Sequence, residues 1–182
     1  FTAGMRIKQF AMCPFDALAN GVSVFCSQNL GAGKIKRIRK GLWQGVGVGF
    51  IYGLLIGLVL IFAGRPLSML FISADQTAVL DASAKYLRCL GFFYWSLGPL
   101  SVFRMSAQGM GFSGRAIFSG VTEMIARTFV SFAFVGTYGF TAICFADQTA
   151  WVSATLYITP VCLMCLRQVT REHERQKATI AD

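Results

Sequence analysis

The chain has 182 residues, of which 55% are hydrophobic and only 14% charged, with a mean hydropathy of +0.58. That balance exceeds what a single water-facing core of this size requires, so lipid is the expected solvent for much of the chain. The net charge of +9 does not mark a nucleic-acid binder, because the basic residues gather at the ends of apolar runs instead of along one polar face.

A membrane-crossing helix needs about 20 mostly apolar residues. Five runs meet that need, over approximately 8–29, 42–63, 86–108, 117–142 and 150–166, which predicts an all-α membrane protein. The first run is entered from Phe1 in mid-pattern, without a charged leader region or cleavage site, and the chain reads as a fragment. Within it Asp16 and Asn20 stand four residues apart, on one helical face, shortly after Pro14. Asn29-Leu-Gly-Ala-Gly33 and the lysine and arginine cluster behind it predict a turn.

Gly41, Gly45, Gly49, Gly53 and Gly57 form a ladder of four-residue spacing along the second run, with Gly47 beside it. Small residues so spaced let helix backbones approach closely inside lipid. A nucleotide-binding loop is excluded here, since no strand precedes the glycines and they lie within an apolar helix, and Gly33-Lys34 lacks the upstream glycine and the following serine or threonine of a phosphate-binding loop. Gly64-Arg-Pro66 predicts the next turn, and the stretch from Pro66 to Asp81 a short interfacial helix.

Arg104 and Gln108 close the third run, where long side chains can reach the membrane surface. After the turn Gly109 to Gly114, the fourth run carries Glu123 and Arg127, four residues apart in the order that favours an ion pair. Ala146-Asp-Gln-Thr149 predicts a turn before the fifth run. There Pro160 is expected to kink the helix, with Thr155 and Thr159 able to satisfy freed carbonyls. Residues 167–182 form a charged tail, holding the one histidine, His173, and are expected to be disordered or a frayed helix. The six cysteines lie in or beside apolar stretches and read as small hydrophobes, and no metal site is expected.

Lysine and arginine resist translocation, so their distribution predicts orientation. If the first helix runs inward, one side holds Lys34, Lys36, Arg37, Arg39, Lys40, Arg115, Arg167, Arg171, Arg175 and Lys177, and the other holds Arg6, Lys8, Arg65, Lys85 and Arg88. That bias places the C-terminus in the cytoplasm of a multi-pass protein of the cell membrane. A charge at the bilayer centre costs about 2.5–3.5 kcal/mol on insertion scales. Asp16, Asn20, Glu123 and Arg127 are therefore the candidate substrate- or cation-binding residues. For Asp16 a cavity-facing role, a satisfied structural contact and an interface position are all open, and for Glu123 and Arg127 a structural pair competes with a functional one. No nucleophile, base and acid set can be assembled, so no enzymatic activity is expected.

Several strings together resemble the multidrug and toxic compound extrusion (MATE) transporters. They are Met5-Arg-Ile-Lys-Gln-Phe-Ala-Met-Cys-Pro14, Gln28-Asn-Leu-Gly-Ala-Gly-Lys34, Arg104-Met-Ser-Ala-Gln-Gly-Met-Gly111 and Gly120-Val-Thr-Glu-Met-Ile-Ala-Arg127, followed by Gly139-Phe-Thr-Ala and Ala146-Asp-Gln-Thr-Ala-Trp151. The resemblance implies twelve helices in two lobes, with this chain supplying helices eight to twelve and lacking its partner lobe. It further implies an antiporter that exports cationic or amphiphilic organic compounds and drugs in exchange for sodium ions or protons, with no other cofactor. A lipid-linked saccharide flippase of the same superfamily and an inactive truncated membrane protein are the alternatives. Lys8 departs from a family position that is often acidic, and Gln148 from one that is often proline, the latter expected to alter only a loop.

Overall fold

The computed structural model describes the backbone of residues 2–70 and 76–181, and the side chains of these except 2, 3, 135, 137, 138, 140–143, 177, 180 and 181. Ile7, Ala11, Phe15, Ala19, Val22 and Cys26 recur at intervals of three and four, and all are buried. That single stripe folds the first run into α1 (Thr2–Gly31) with one face on the bundle. Gly33, at φ +65°, turns the chain into α2 (Ile35–Met69). α3 (Thr77–Phe93) continues through a short 3-10 turn (Tyr94–Ser96) into α4 (Leu97–Gly109). α5 (Ser113–Tyr138) and α6 (Phe140–Ala181) complete an all-helical bundle without strands among the described residues.

Among the described residues, four helical stretches are long and apolar enough to cross a membrane: Gly4–Gly31, Ile35–Met69, Ser113–Phe134 and Cys144–Gln176. The third apolar run instead folds as two shorter helices in sequence, α3 and α4. Pro99 explains the break, because it has no N–H to donate to the Trp95 carbonyl one turn earlier. The Ser96 carbonyl, next to the break, accepts from the Thr155 hydroxyl of α6 at 3.3 Å.

Three expected boundaries move. Pro66 lies inside α2, so Gly64 to Pro66 is no turn, and the expected interfacial helix divides between the end of α2, the start of α3 and residues 71–75, which lie outside the described residues. Ala146 to Thr149 is helical: the turn falls at Gly139, whose φ of +53° suits glycine. α6 then runs unbroken through Pro160 and the charged tail to Ala181. Thr155 and Thr159 donate to the carbonyls of Trp151 and Thr155, not to that of Leu156, the carbonyl that Pro160 leaves without its donor.

The glycine ladder changes partner along α2. A side chain on Gly41 or Gly45 would meet Phe25 or Val22 of α1, whereas Gly49, Gly53 and Gly57 lie against the backbone of Gly98, Trp95 and Gly91 around the break. At the centre Tyr94 donates to the Lys8 carbonyl (2.9 Å), and its ring stands edge-on to Trp151 (5.8 Å) and tilted to Phe15 (5.7 Å). One aromatic side chain thereby joins α1, the break and α6. Cys26, Cys144, Cys162 and Cys165 are buried, Cys89 is half-buried, and Cys13 is exposed.

Candidate functional site

Three cations and two carboxylates from four helices form one chain of contacts. Lys8 Nζ of α1 lies 2.6 Å from Asp147 Oδ2 of α6, and the Tyr86 hydroxyl of α3 donates to the same oxygen at 3.1 Å. The other Asp147 oxygen, Oδ1, is 3.1 Å from Arg127 Nε of α5. Arg127 Nη2 turns to Glu123 Oε1 (3.1 Å), one helical turn back on α5, and Glu123 Oε2 receives Arg104 Nη2 of α4 at 2.8 Å. Arg104 Nε donates to the buried Ser119 hydroxyl, 2.8 Å away. Each carboxylate thus spends its two oxygens on two different cations, and each is largely enclosed, Glu123 with 19% and Asp147 with 14% of its side chain exposed.

This wiring offsets the cost of charge among apolar helices, since every carboxylate in it has two partners and charge-assisted hydrogen bonds exceed neutral ones in strength. The five charged groups leave an excess of one positive charge. In three of the four helices the reason is legible: Glu123 and Arg127 share a face of α5, Arg104 stands on the face of α4 turned to α5, and Asp147 follows the buried Cys144 by three residues on α6.

The structure therefore joins Glu123 and Arg127, as their spacing predicts, and adds Arg104, Asp147, Lys8 and Tyr86. It leaves Asp16 and Asn20 outside the network. Both are exposed, and neither makes a hydrogen bond or ion pair among the described residues. Helix geometry places them nonetheless. At about 100° per residue, Asp16 lies roughly 20° around α1 from Ser27 and roughly 80° from Lys8. The Ser27 hydroxyl donates to the Gly109 carbonyl of α4 at 2.8 Å, and Lys8 reaches α6. By rotation Asp16 falls between the direction of Ser27, which meets α4, and that of Lys8, which meets α6, while the opposite flank, carrying Phe25, meets α2.

Sequence reasoning missed Asp147 because it stood beside Gln148 and Thr149 and read as a turn. A signal was present: the buried positions Trp151, Ala154, Ile158, Val161 and Cys165 extend backwards at helical spacing through Ala150 to Cys144 without a break. Gln148 sits in that helix as well, 1% exposed and with no side-chain partner among the described residues, so its departure from the family pattern falls on a packed helix and not on a loop. Arg104 is a network member instead of a side chain reaching for the surface.

The MatE family profile matches residues 1–132, from α1 through most of α5. A protein of Shewanella oneidensis described as an FAD transporter is 30% identical over 103 residues, which is 57% of this chain and 22% of that protein. The chain thus aligns with about a fifth of its relative's length. No solved structure matches it. With an all-helical, membrane-spanning bundle and a family profile covering most of its length, this chain belongs to the MatE family of transporters.

Proposed function

We propose that the chain acts as one lobe of a secondary antiporter in the cell membrane, with its C-terminus in the cytoplasm, exporting cationic or amphiphilic organic compounds in exchange for sodium ions or protons. The observation that carries the reading is the contrast between carboxylates. Glu123 and Asp147 are each held by two cations, whereas Asp16, on a polar flank of α1, has no partner among the described residues. An unpaired carboxylate is costly against acyl chains and calls for water, an ion or an opposing lobe. Asp16, with the Asn20 amide beside it, suits a proton, a sodium ion or an organic cation, and occupancy by one disfavours the others. Rocking of two lobes about that site then couples the fluxes, with no bond made or broken.

In the full-length transporter carrying this lobe, Asp16→Asn is expected to reduce efflux of a cationic dye at least tenfold while membrane abundance stays unchanged. Undiminished efflux would remove Asp16 from the site.

A second reading concerns substrate charge. The network holds one more cation than carboxylates, and the Shewanella relative is named for FAD, whose diphosphate is anionic. An anionic substrate, whether a flavin nucleotide or a lipid-linked saccharide, would use Arg104 and Arg127. Transport of FAD without transport of the dye in the same vesicles would select it.

A further inference from the structure

At the end of the bundle away from Asp147, the loop between α1 and α2 folds against the charged extension of α6. Gly33 is what brings them together: a side chain there would stand 2.7 Å from Cε1 of His173. Beside this contact α2 and α6 border a cleft of about 930 Å³. Lys34, Lys36, Arg37, Arg39 and Lys40 line it, with Glu174 as the one acidic side chain among the described lining residues. None of the five cations forms an ion pair among the described residues. So many uncompensated positive charges around one concavity focus a strong field and attract an anion.

The backbone adds to it. α2 begins in the cleft with no side-chain cap, and the amides of Ile35 and Lys36 have no acceptor among the described residues. A helix start with free N–H groups is a ready site for phosphate oxygens.

The cleft also has an apolar side. Trp43 and Leu166 belong to its lining, and an adjoining groove of about 320 Å³ shares Arg39, Trp43, Leu166 and Thr170 and extends to Leu163, with Arg167 and Arg171 at its edge. Lys40 and Arg167 mark where the apolar spans of α2 and α6 end, so the cations stand at headgroup level and Trp43, Leu163 and Leu166 at the level of acyl chains. Phosphate above and hydrocarbon below is the chemistry of a phospholipid.

We propose that this cleft binds the headgroup of an anionic phospholipid, with one acyl chain lying along Trp43, Leu163 and Leu166. The site is independent of the transported solute and of Asp16. Basic pockets between helices at the membrane surface recognise such headgroups by charge.

The test uses the purified chain in neutral detergent, with bound lipid counted by native mass spectrometry after addition of phosphatidylglycerol or phosphatidylcholine. The wild type should retain phosphatidylglycerol with at least tenfold preference. Arg37→Gln with Arg39→Gln should bring that preference close to parity. Arg65→Gln with Arg88→Gln, an equal change of charge at the opposite end, should leave it intact. Inorganic phosphate at millimolar concentration should not displace the lipid. Thermal melting of each variant verifies folding, and Arg37→Lys with Arg39→Lys, which keeps the charge, should retain most of the preference. Equal losses in the two glutamine pairs would reduce the effect to net charge and overturn the site. Displacement by phosphate alone would overturn the lipid assignment in favour of a free anion.

Discussion

Asp147→Leu is expected to lower the thermal unfolding midpoint of the detergent-solubilised chain by roughly 6–20 °C, since removing one partner of an enclosed ion pair costs about 3–5 kcal/mol and each kcal/mol moves a protein of this size by about 2–4 °C. The change leaves the Lys8 ammonium and the Tyr86 hydroxyl without their shared acceptor, and Arg127 with Glu123 alone. Lys8→Met added to Asp147→Leu should recover part of the loss, because the stranded ammonium disappears with its partner. A single variant melting within about 2 °C of the wild type would mean that the network does not hold the helices together. The wiring also changes what a paired substitution can show at Glu123. Replacing Glu123 and Arg127 together by apolar residues still strands Arg104, so the stabilising comparison is the triple replacement that includes it.

Gly53→Leu should abolish a monodisperse folded species altogether. A side chain at Gly53 begins 2.8 Å from the Trp95 Cα and 2.9 Å from the Tyr94 carbonyl oxygen. Overpacking typically costs about 1–3 kcal/mol when neighbouring side chains can give way. Here the neighbour is backbone, at the point where α3 passes into α4, and it cannot yield without parting α2 from both. Gly47→Leu supplies the control, because nothing lies within 4 Å of a side chain at that position and the residue is exposed. Size-exclusion profiles of the two variants should separate sharply. Equal yields would show that the ladder tolerates bulk and that its spacing does not govern packing.

The bundle was legible where one physical signal acted alone. Ile7 to Cys26 mark a helix by spacing, the glycines at 49, 53 and 57 announce a close backbone neighbour, and Glu123 with Arg127 announces a pair. It was obscured where two signals conflicted. Asp147, Gln148 and Thr149 look like a turn as a tripeptide, yet Asp147 gains Lys8 from α1 and Arg127 from α5, and those partners come from other helices. Local polarity cannot report such partners, so a helix interior reads as a loop. The break at Tyr94 to Ser96 was hidden differently: the apolar run is continuous there, and only the missing donor of Pro99 marks the interruption. For Asp16 and Asn20 the sequence indicates a shared face, and the fold adds that this face is exposed and outside the ion-pair network.

The uneven burial of the thiols furnishes a built-in reporter. Cys13 is exposed, and it stands one turn before Asp16 and Ala17 on the uncovered side of α1, while four of the other five thiols are sealed within the bundle and Cys89 is partly covered. A water-soluble maleimide should therefore label Cys13 first in the native chain, without any engineered cysteine. The labelling rate would then register whether that side of α1 meets water, acyl chains or another polypeptide, and how this alternates as the transporter cycles.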